Sequence, residues 1–195
     1  MTERIGIIGG SFDPIHNGHL IIALDASEQF ELDLVLFVPA FQAPLKSKAP
    51  ESTPPQRMRM VELATEEEPR FACSDVDYRC ESTSYSVRTA QILSQEHPAA
   101  SLFWILGADQ IAQLHLWRNI EELAKLVSFI AFERPGSAYH FADELPTHTR
   151  ILRGQSRQLE ISSTEIRDRF KSGRSAKYFL PANVFDYIKA ENLYS

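Results

Sequence analysis

The 195-residue sequence predicts an α/β fold: a doubly wound parallel sheet covered by helices on both faces, with a small helical part over about residues 160–195. Three observations carry that prediction. Five short runs, at 5–8, 34–38, 71–73, 102–106 and 127–132, read as strands, and most are too continuously apolar to have a wet face, as fully buried parallel strands are. Between them, apolar residues recur three and four positions apart, the pattern of a helix with one buried face. The alternation of the two patterns implies βαβ units with right-handed crossovers.

Taken in order, the strand at 5–8 runs straight into Gly9-Gly10, and Leu20, Ala23 and Leu24 give the first helix its inner face. After the strand at 34–38, residues 40–55 contain Pro44, Pro50, Pro54 and Pro55 around Lys46-Ser47-Lys48, so a long surface loop is expected there. Met60, Leu63 and Ala64 mark the second helix, and Val87, Ala90 and Leu93 the third. A second loop covers 136–149. It leads to a short strand at Ile151-Leu152 and a helix from near Thr164. The last helix follows Pro181, whose fixed φ suits a first turn, and turns Val184, Tyr187 and Ile188 inward. A single domain over 1–195 is the expected organisation, since a chain this long can bury roughly 70% of its unfolded surface in one core.

The formal charge of −6 argues against nucleic-acid binding by bulk electrostatics, which needs many Lys and Arg against phosphates. The charge is uneven, however. Eight basic and three acidic residues over 150–177 give that stretch +5 and leave −11 for the rest, which suits a small anionic ligand or a solvated helix face. Cys73 and Cys80 lack the spacing of zinc or redox motifs and are expected to be plain reduced thiols. No apolar run approaches the roughly 18 residues of a membrane span, and the first residues do not read as a signal peptide. A cytoplasmic protein with no membrane partner is expected.

Gly9-Gly10-Ser11-Phe12-Asp13-Pro14-Ile15-His16-Asn17-Gly18-His19-Leu20 is the segment richest in chemistry. Glycines after a buried strand let backbone N–H groups approach a ligand, and the following helix offers its positive end to an anion. Neither G-x-x-x-x-G-K-[ST] nor G-x-G-x-x-G is present, so this is not a Walker loop or a dinucleotide fingerprint. His16 and His19, three apart at a helix start, can share one side and donate to phosphoryl oxygens. The alternatives are a capping or core histidine, or a metal pair completed by Asp13. A second segment, Ser162-Ser163-Thr164-Glu165-Ile166-Arg167, puts hydroxyls at a helix start and an arginine one turn on. Ser163 or Thr164 capping with an exposed arginine is one reading; a second phosphate cradle with a bidentate cation is the other.

Together these segments resemble the nucleotidyltransferase superfamily of adenylyl and cytidylyl transferases. Its signature G-x-F-x-P-x-H-x-G-H is matched at Gly10, Phe12, Pro14, His16, Gly18 and His19, and S-x-T-x-x-R at Ser162, Thr164 and Arg167. The middle of the chain narrows the likeness. Trp104-Ile105-Leu106-Gly107-Ala108-Asp109 with Trp117 beyond it, Phe132-Glu133-Arg134-Pro135-Gly136, and the ending Tyr178-Phe179-Leu180-Pro181 are similar to the bacterial nicotinate-mononucleotide adenylyltransferases. The similarity spans residues 5–194. It includes Ser84-Tyr85-Ser86, where that family usually shows Ser-Tyr-Thr; departures are Pro44-Leu45-Lys46 in place of Pro-His-Lys, and Val87 and Arg88 where an aromatic and an acid are common.

The resemblance implies a Rossmann-like sheet in the order 3-2-1-4-5, with Gly9-Gly10 and Gly107–Asp109 facing each other where the order reverses. It implies adenylyl transfer from ATP to nicotinate mononucleotide, with His16, His19 and Arg167 catalytic. Gly9, Gly10, Ser11, Phe12, Gly107, Asp109, Ser162 and Ser163 would complete the ATP site. Lys46, Tyr85, Ser86, Trp117, Arg118 and Arg134 would hold the acceptor. Mg²⁺ would arrive with ATP, with no dedicated metal site, and an oligomer is compatible with the sequence. Rival readings are an adenylyltransferase for nicotinamide mononucleotide or phosphopantetheine, and a non-catalytic nucleotide sensor.

Overall fold

The computed structural model describes residues 2–42, 49–80, 83–133, 145–155, 157 and 159–195, with the backbone alone of Ala108 and Asp109. Six parallel strands, β1 (Arg4–Gly10), β2 (Leu34–Pro39), β3 (Phe71–Cys73), β4 (Ser101–Gly107), β5 (Val127–Glu133) and β6 (Ile151–Gln155), form one sheet in the order 3-2-1-4-5-6. The expected order is extended by one strand. The short run at Ile151-Leu152 continues to Gln155 and pairs with β5, Ile151 opposite Phe129 and Gln155 opposite Glu133. Its exposed Arg153 and Gln155 mark an edge strand, which a search for continuous apolar runs truncates.

The helices are α1 (Asn17–Gln29), α2 (Pro54–Thr65), α3 (Ser86–Glu96), α4 (Ala108–Ile111), α5 (Ile120–Leu126), α6 (Ser163–Lys171) and α7 (Ala182–Ala190). Both faces of the sheet are apolar, because successive strand side chains point in opposite directions. On β4, Phe103 and Ile105 join a core with residues of α1, α2, α6 and α7, while Leu102, Trp104 and Leu106 join one with residues of α3, α4 and α5. Val184 and Ile188 are fully buried as expected, with Tyr187 beside them. The face of α1 differs from expectation. Ala23 and Ala26 form its buried centre with Leu20 and Ile22 alongside, and Leu24 is half-buried outside that cluster.

The segment 40–55 is not surface throughout. Ser52 is buried, and Thr53 caps α2, its backbone N–H donating to Gln56 Oε1 at 2.9 Å, with Pro54 in the first turn. Residues 43–48, which include Lys46, lie outside the described residues. Among the described residues no helix is long and apolar enough to cross a membrane.

Candidate active site

The carboxyl ends of β1 and β4 are neighbours, and from this pair the chain winds outward in opposite directions to β2 and β5. Such a switch point leaves a crevice above the sheet, and here it is a cavity of about 570 Å³. Gly9, Gly10, Ser11, Phe12 and His19 form one wall, with Ser163 of α6 beside them. Gly107 and Trp104 come from β4. Tyr85, Ser86, Trp117 and Arg118 form the opposite wall. The structure thus gathers most of the sequence-predicted residues. His16, Ser162 and Arg167 do not line the cavity, while Lys46, Arg134 and the side chain of Asp109 lie outside the described residues. The backbone of Asp109 falls inside α4, so it is not a helix cap. A Cβ on Gly107 would meet nothing within 4 Å, so the chain leaves open space at that end of β4.

The turn after β1 is held by buried polar contacts. Phe12 takes φ of +48°, a left-handed conformation that a bulky side chain adopts only when its surroundings enforce it, and the Asp13–Pro14 peptide is cis. The Asp13 carboxylate accepts from the Glu51 N–H (2.8 Å), the Ser52 N–H (3.1 Å), the Ser52 hydroxyl and the Tyr194 phenol (2.8 Å). Burial opposes its ionisation, but the bonds from Ser52, Glu51 and Tyr194 outweigh burial and hold the carboxyl below its ordinary range. Its oxygens are therefore spent on structure, which leaves Asp13 poorly placed to complete a metal site with the histidines.

Arg57 braces the same turn from behind. It is only 1% exposed, and it donates to the carbonyls of Ser11 (2.8 Å), Ala40 (2.6 Å) and Phe41 (3.1 Å). The guanidinium thus ties the carboxyl end of β1 to the chain leaving β2. Sequence reasoning passed over Arg57, although it sits three and four residues before Met60 and Val61 and so falls on the buried face of α2. It also passed over Asp13 as a hub, because Tyr194 is 181 positions away.

His16 caps α1 and is 6% exposed, its ring stacked on His19 with centroids 3.7 Å apart. Burial lowers its pKa to about 4, so the ring is neutral at neutral pH. The backbone N–H of His16 donates to His19 Nδ1 at 3.2 Å. In neutral His19 the proton therefore sits on Nε2, and this ring lines the cavity. Gly18 is what admits the stack: a Cβ there would come within 3.0 Å of His16 Nδ1. Ser11 Oγ and His16 Nδ1 are buried without hydrogen-bond partners among the described residues.

α6 docks its first turn on that same turn. Ser162 is its cap, accepting from the Glu165 N–H at 3.2 Å, where Ser163 or Thr164 was the expected one. Ser163 instead donates to the Pro14 carbonyl at 2.8 Å, and Arg167 Nη1 donates to the Asp13 carbonyl at 2.7 Å. The two sequence motifs, some 150 residues apart, therefore meet at Asp13-Pro14.

The opposite wall is built from rings. Trp117 packs edge-on against Trp104 at 5.9 Å, and the Arg118 guanidinium lies 4.5 Å over the Tyr85 ring. Tyr85 caps α3, so that helix begins at the cavity, with Tyr85 and Ser86 among the lining residues. Asp77, another lining residue the sequence did not single out, accepts from the Thr89 hydroxyl at 2.6 Å; burial raises its pKa despite the bonds from Thr89 and Ser84. Away from the site, Cys73 and Cys80 are free, and burial pushes the Cys73 thiol up to about 12, which makes it unreactive.

A glycine turn, the His19 ring and Ser163 at the start of α6 meet at the switch point of the parallel sheet. Residues 7–169 match the Cytidylyltransferase-like family. A probable nicotinate-nucleotide adenylyltransferase of Opitutus terrae is 47% identical over 98% of this chain and 97% of that protein. One of the same name from Methylacidiphilum infernorum is 40% identical over 98% and 92%. The nicotinic acid mononucleotide adenylyltransferase of Plasmodium falciparum, solved in complex with NaAD, shares the fold with a TM-score of 0.78 over 98% of this chain and 97% of that one, at 22% identity. This chain belongs to the cytidylyltransferase-like nucleotidyltransferases and, within them, to the nicotinate-nucleotide adenylyltransferases.

Proposed function

We propose that this protein transfers the adenylyl group of ATP to nicotinate mononucleotide, forming deamido-NAD and pyrophosphate in the cytoplasm as a step of NAD synthesis. The observation that carries this reading is that His19, Gly107, Ser163 and Trp117 line one cavity. An oxygen of the acceptor's 5′-phosphate forms a bond to the α-phosphorus, and the bridging bond to the β-phosphate breaks, its electrons leaving with pyrophosphate. The attacking group is already an anion, so no protein nucleophile is needed and catalysis rests on alignment and charge stabilisation.

The reading gives each element a task. His19 donates from Nε2 to the phosphoryl oxygens at the reacting end of the triphosphate, and neutral His16 backs it. The backbone of Gly9, Gly10, Ser11 and Phe12 receives the nucleotide, Gly107 and Asp109 face its sugar, and Ser162, Ser163 and Arg167 take the β- and γ-phosphates. Ser162 can still donate its hydroxyl proton while its oxygen caps α6. On the other wall, Trp117 stacks on the pyridine ring, and the nicotinate carboxylate lies toward the start of α3 at Tyr85-Ser86 and the cation of Arg118. Lys46 and Arg134 complete the acceptor site. Mg²⁺ is carried in with ATP and supplies charge neutralisation on its phosphates. Among the described residues no three His, Cys, Asp or Glu gather into a cluster.

Pyrophosphate release from ATP tests the reading, with nicotinate mononucleotide, nicotinamide mononucleotide and phosphopantetheine offered separately. Release is expected to be fastest with the first. Faster release with either of the others reassigns the acceptor, and no release with any of them returns the chain to the class of nucleotide sensors.

A further inference from the structure

Along α6 lies an ion-pair cluster of which the reaction scheme uses only Arg167. Arg167 Nε and Lys171 Nζ, one helical turn apart, both donate to a single oxygen, Oε1 of Glu51, at 3.1 and 2.8 Å. The guanidinium is fixed without Glu51, since Nη1 holds the Asp13 carbonyl and Nη2 reaches Thr164 Oγ1 at 3.3 Å. Two cations therefore converge on one oxyanion position, beside the helix end that meets the phosphate turn. Glu51 is loosely committed there. Its side chain is 40% exposed, and its tie to the turn runs through its backbone N–H, which donates to Asp13 whatever the side chain does.

Resting on the proposed use of ATP, we infer that Arg167 and Lys171 form a two-cation subsite for the terminal phosphate of the nucleotide, and that the Glu51 carboxylate fills it in the unliganded protein and is displaced when ATP binds. Lys171 thereby becomes an ATP-binding residue outside the S-x-T-x-x-R signature, and Glu51 a competitor that keeps the subsite formed while it is empty. The Lys171 hydrogen bond, opposed by slight burial and supported by Arg167, holds the Glu51 carboxyl below its ordinary range, so it stays a full anion at neutral pH. A displaced carboxylate costs the ligand part of its affinity, because binding has to break ion pairs that the free protein already makes.

Calorimetric titration with α,β-methylene-ATP, which cannot be turned over, and with AMP, which lacks the terminal phosphates, tests the subsite in the presence of Mg²⁺. For Glu51→Gln the dissociation constant of the ATP analogue is expected to fall about two- to fivefold, the weight of half-exposed ion pairs. For Lys171→Met it is expected to rise about three- to tenfold. AMP binding should move in neither variant, which separates loss of a phosphate contact from a general loosening of α6. Glu51→Gln that leaves the analogue's affinity unchanged or weakens it, or variants that shift AMP as much as the analogue, would overturn the inference while leaving the adenylyl-transfer reading in place. Wild-type protein that binds neither nucleotide overturns both.

Discussion

The two walls of the cavity are built on different principles. The wall of β1, α1 and α6 is made of buried polar groups held by several partners each: Asp13 accepts four hydrogen bonds, Arg57 closes three carbonyls, and His16 is sealed under His19. The wall of Tyr85, Trp117 and Arg118 is made of half-buried rings and one exposed cation, joined by edge and face contacts. Rigid preorganised donors suit a triphosphate whose charge must be stabilised at the instant of transfer, and an apolar face suits a flat ring that needs only to be positioned. Damage to the first wall should therefore appear in turnover and stability. Damage to the second should appear in acceptor affinity.

The largest effect expected from that contrast is on His19→Ala, which should lose on the order of 10²–10³ in kcat, the usual size for one preorganised donor. Its thermal unfolding should stay close to wild type, and a folded variant with near-normal kcat breaks the assignment. Next is Arg57→Met, which strips three carbonyls of their buried donor and should cost about 3 kcal/mol in denaturant unfolding. Arg118→Met, on the exposed wall, should change stability by less than about 0.5 kcal/mol. Equal costs for the two would erase the difference between the walls.

The pH dependence of stability sharpens the same point. The folded His16 pKa, about 4, lies below its ordinary 6.5, so between those values the unfolded chain binds more protons. Its contribution is complete above pH 6.5 and is lost as the pH falls toward 4, by up to roughly 3 kcal/mol. Asp13, also depressed, adds its own loss at lower pH, below its ordinary 3.8. His16→Gln should flatten unfolding stability between pH 6.5 and 4; an unchanged slope would mean that another group titrates there. On the opposite wall, Trp117→Ala should raise KM for the pyridine nucleotide about tenfold and leave KM for ATP nearly unchanged. Equal weakening of both would make Trp117 a packing residue.

What the sequence disclosed follows from the range of the forces involved. Strands such as 102–106 were legible because both faces are buried and every position is apolar. β6 was legible only at Ile151-Leu152, because its later residues face solvent on the sheet edge. Residues proposed to meet a ligand, His19, Gly107, Ser163 and Trp117 among them, stand in local patterns that chemistry requires, and the structure brings them to one cavity. The supports behind them were not legible. Asp13 finds Ser52 and Tyr194, Arg57 finds Ser11 and Ala40, and Arg167 finds Glu51, all across distances in sequence that no local spacing records. The cap of α6 was placed one or two residues late for a smaller reason: three consecutive hydroxyl residues compete for that role, and only the backbone geometry of Ser162 decides it.

The central claim is that both motifs hold one triphosphate while Trp117 waits across the cavity for the acceptor, and a crystal structure with bound α,β-methylene-ATP tests it most directly. The phosphates are expected between the His19 ring and the first turn of α6, with the face of Trp117 left uncovered. Phosphates seated on the Trp117 and Arg118 wall, or touching His19 with no contact to Ser162, Ser163 or Arg167, would contradict it.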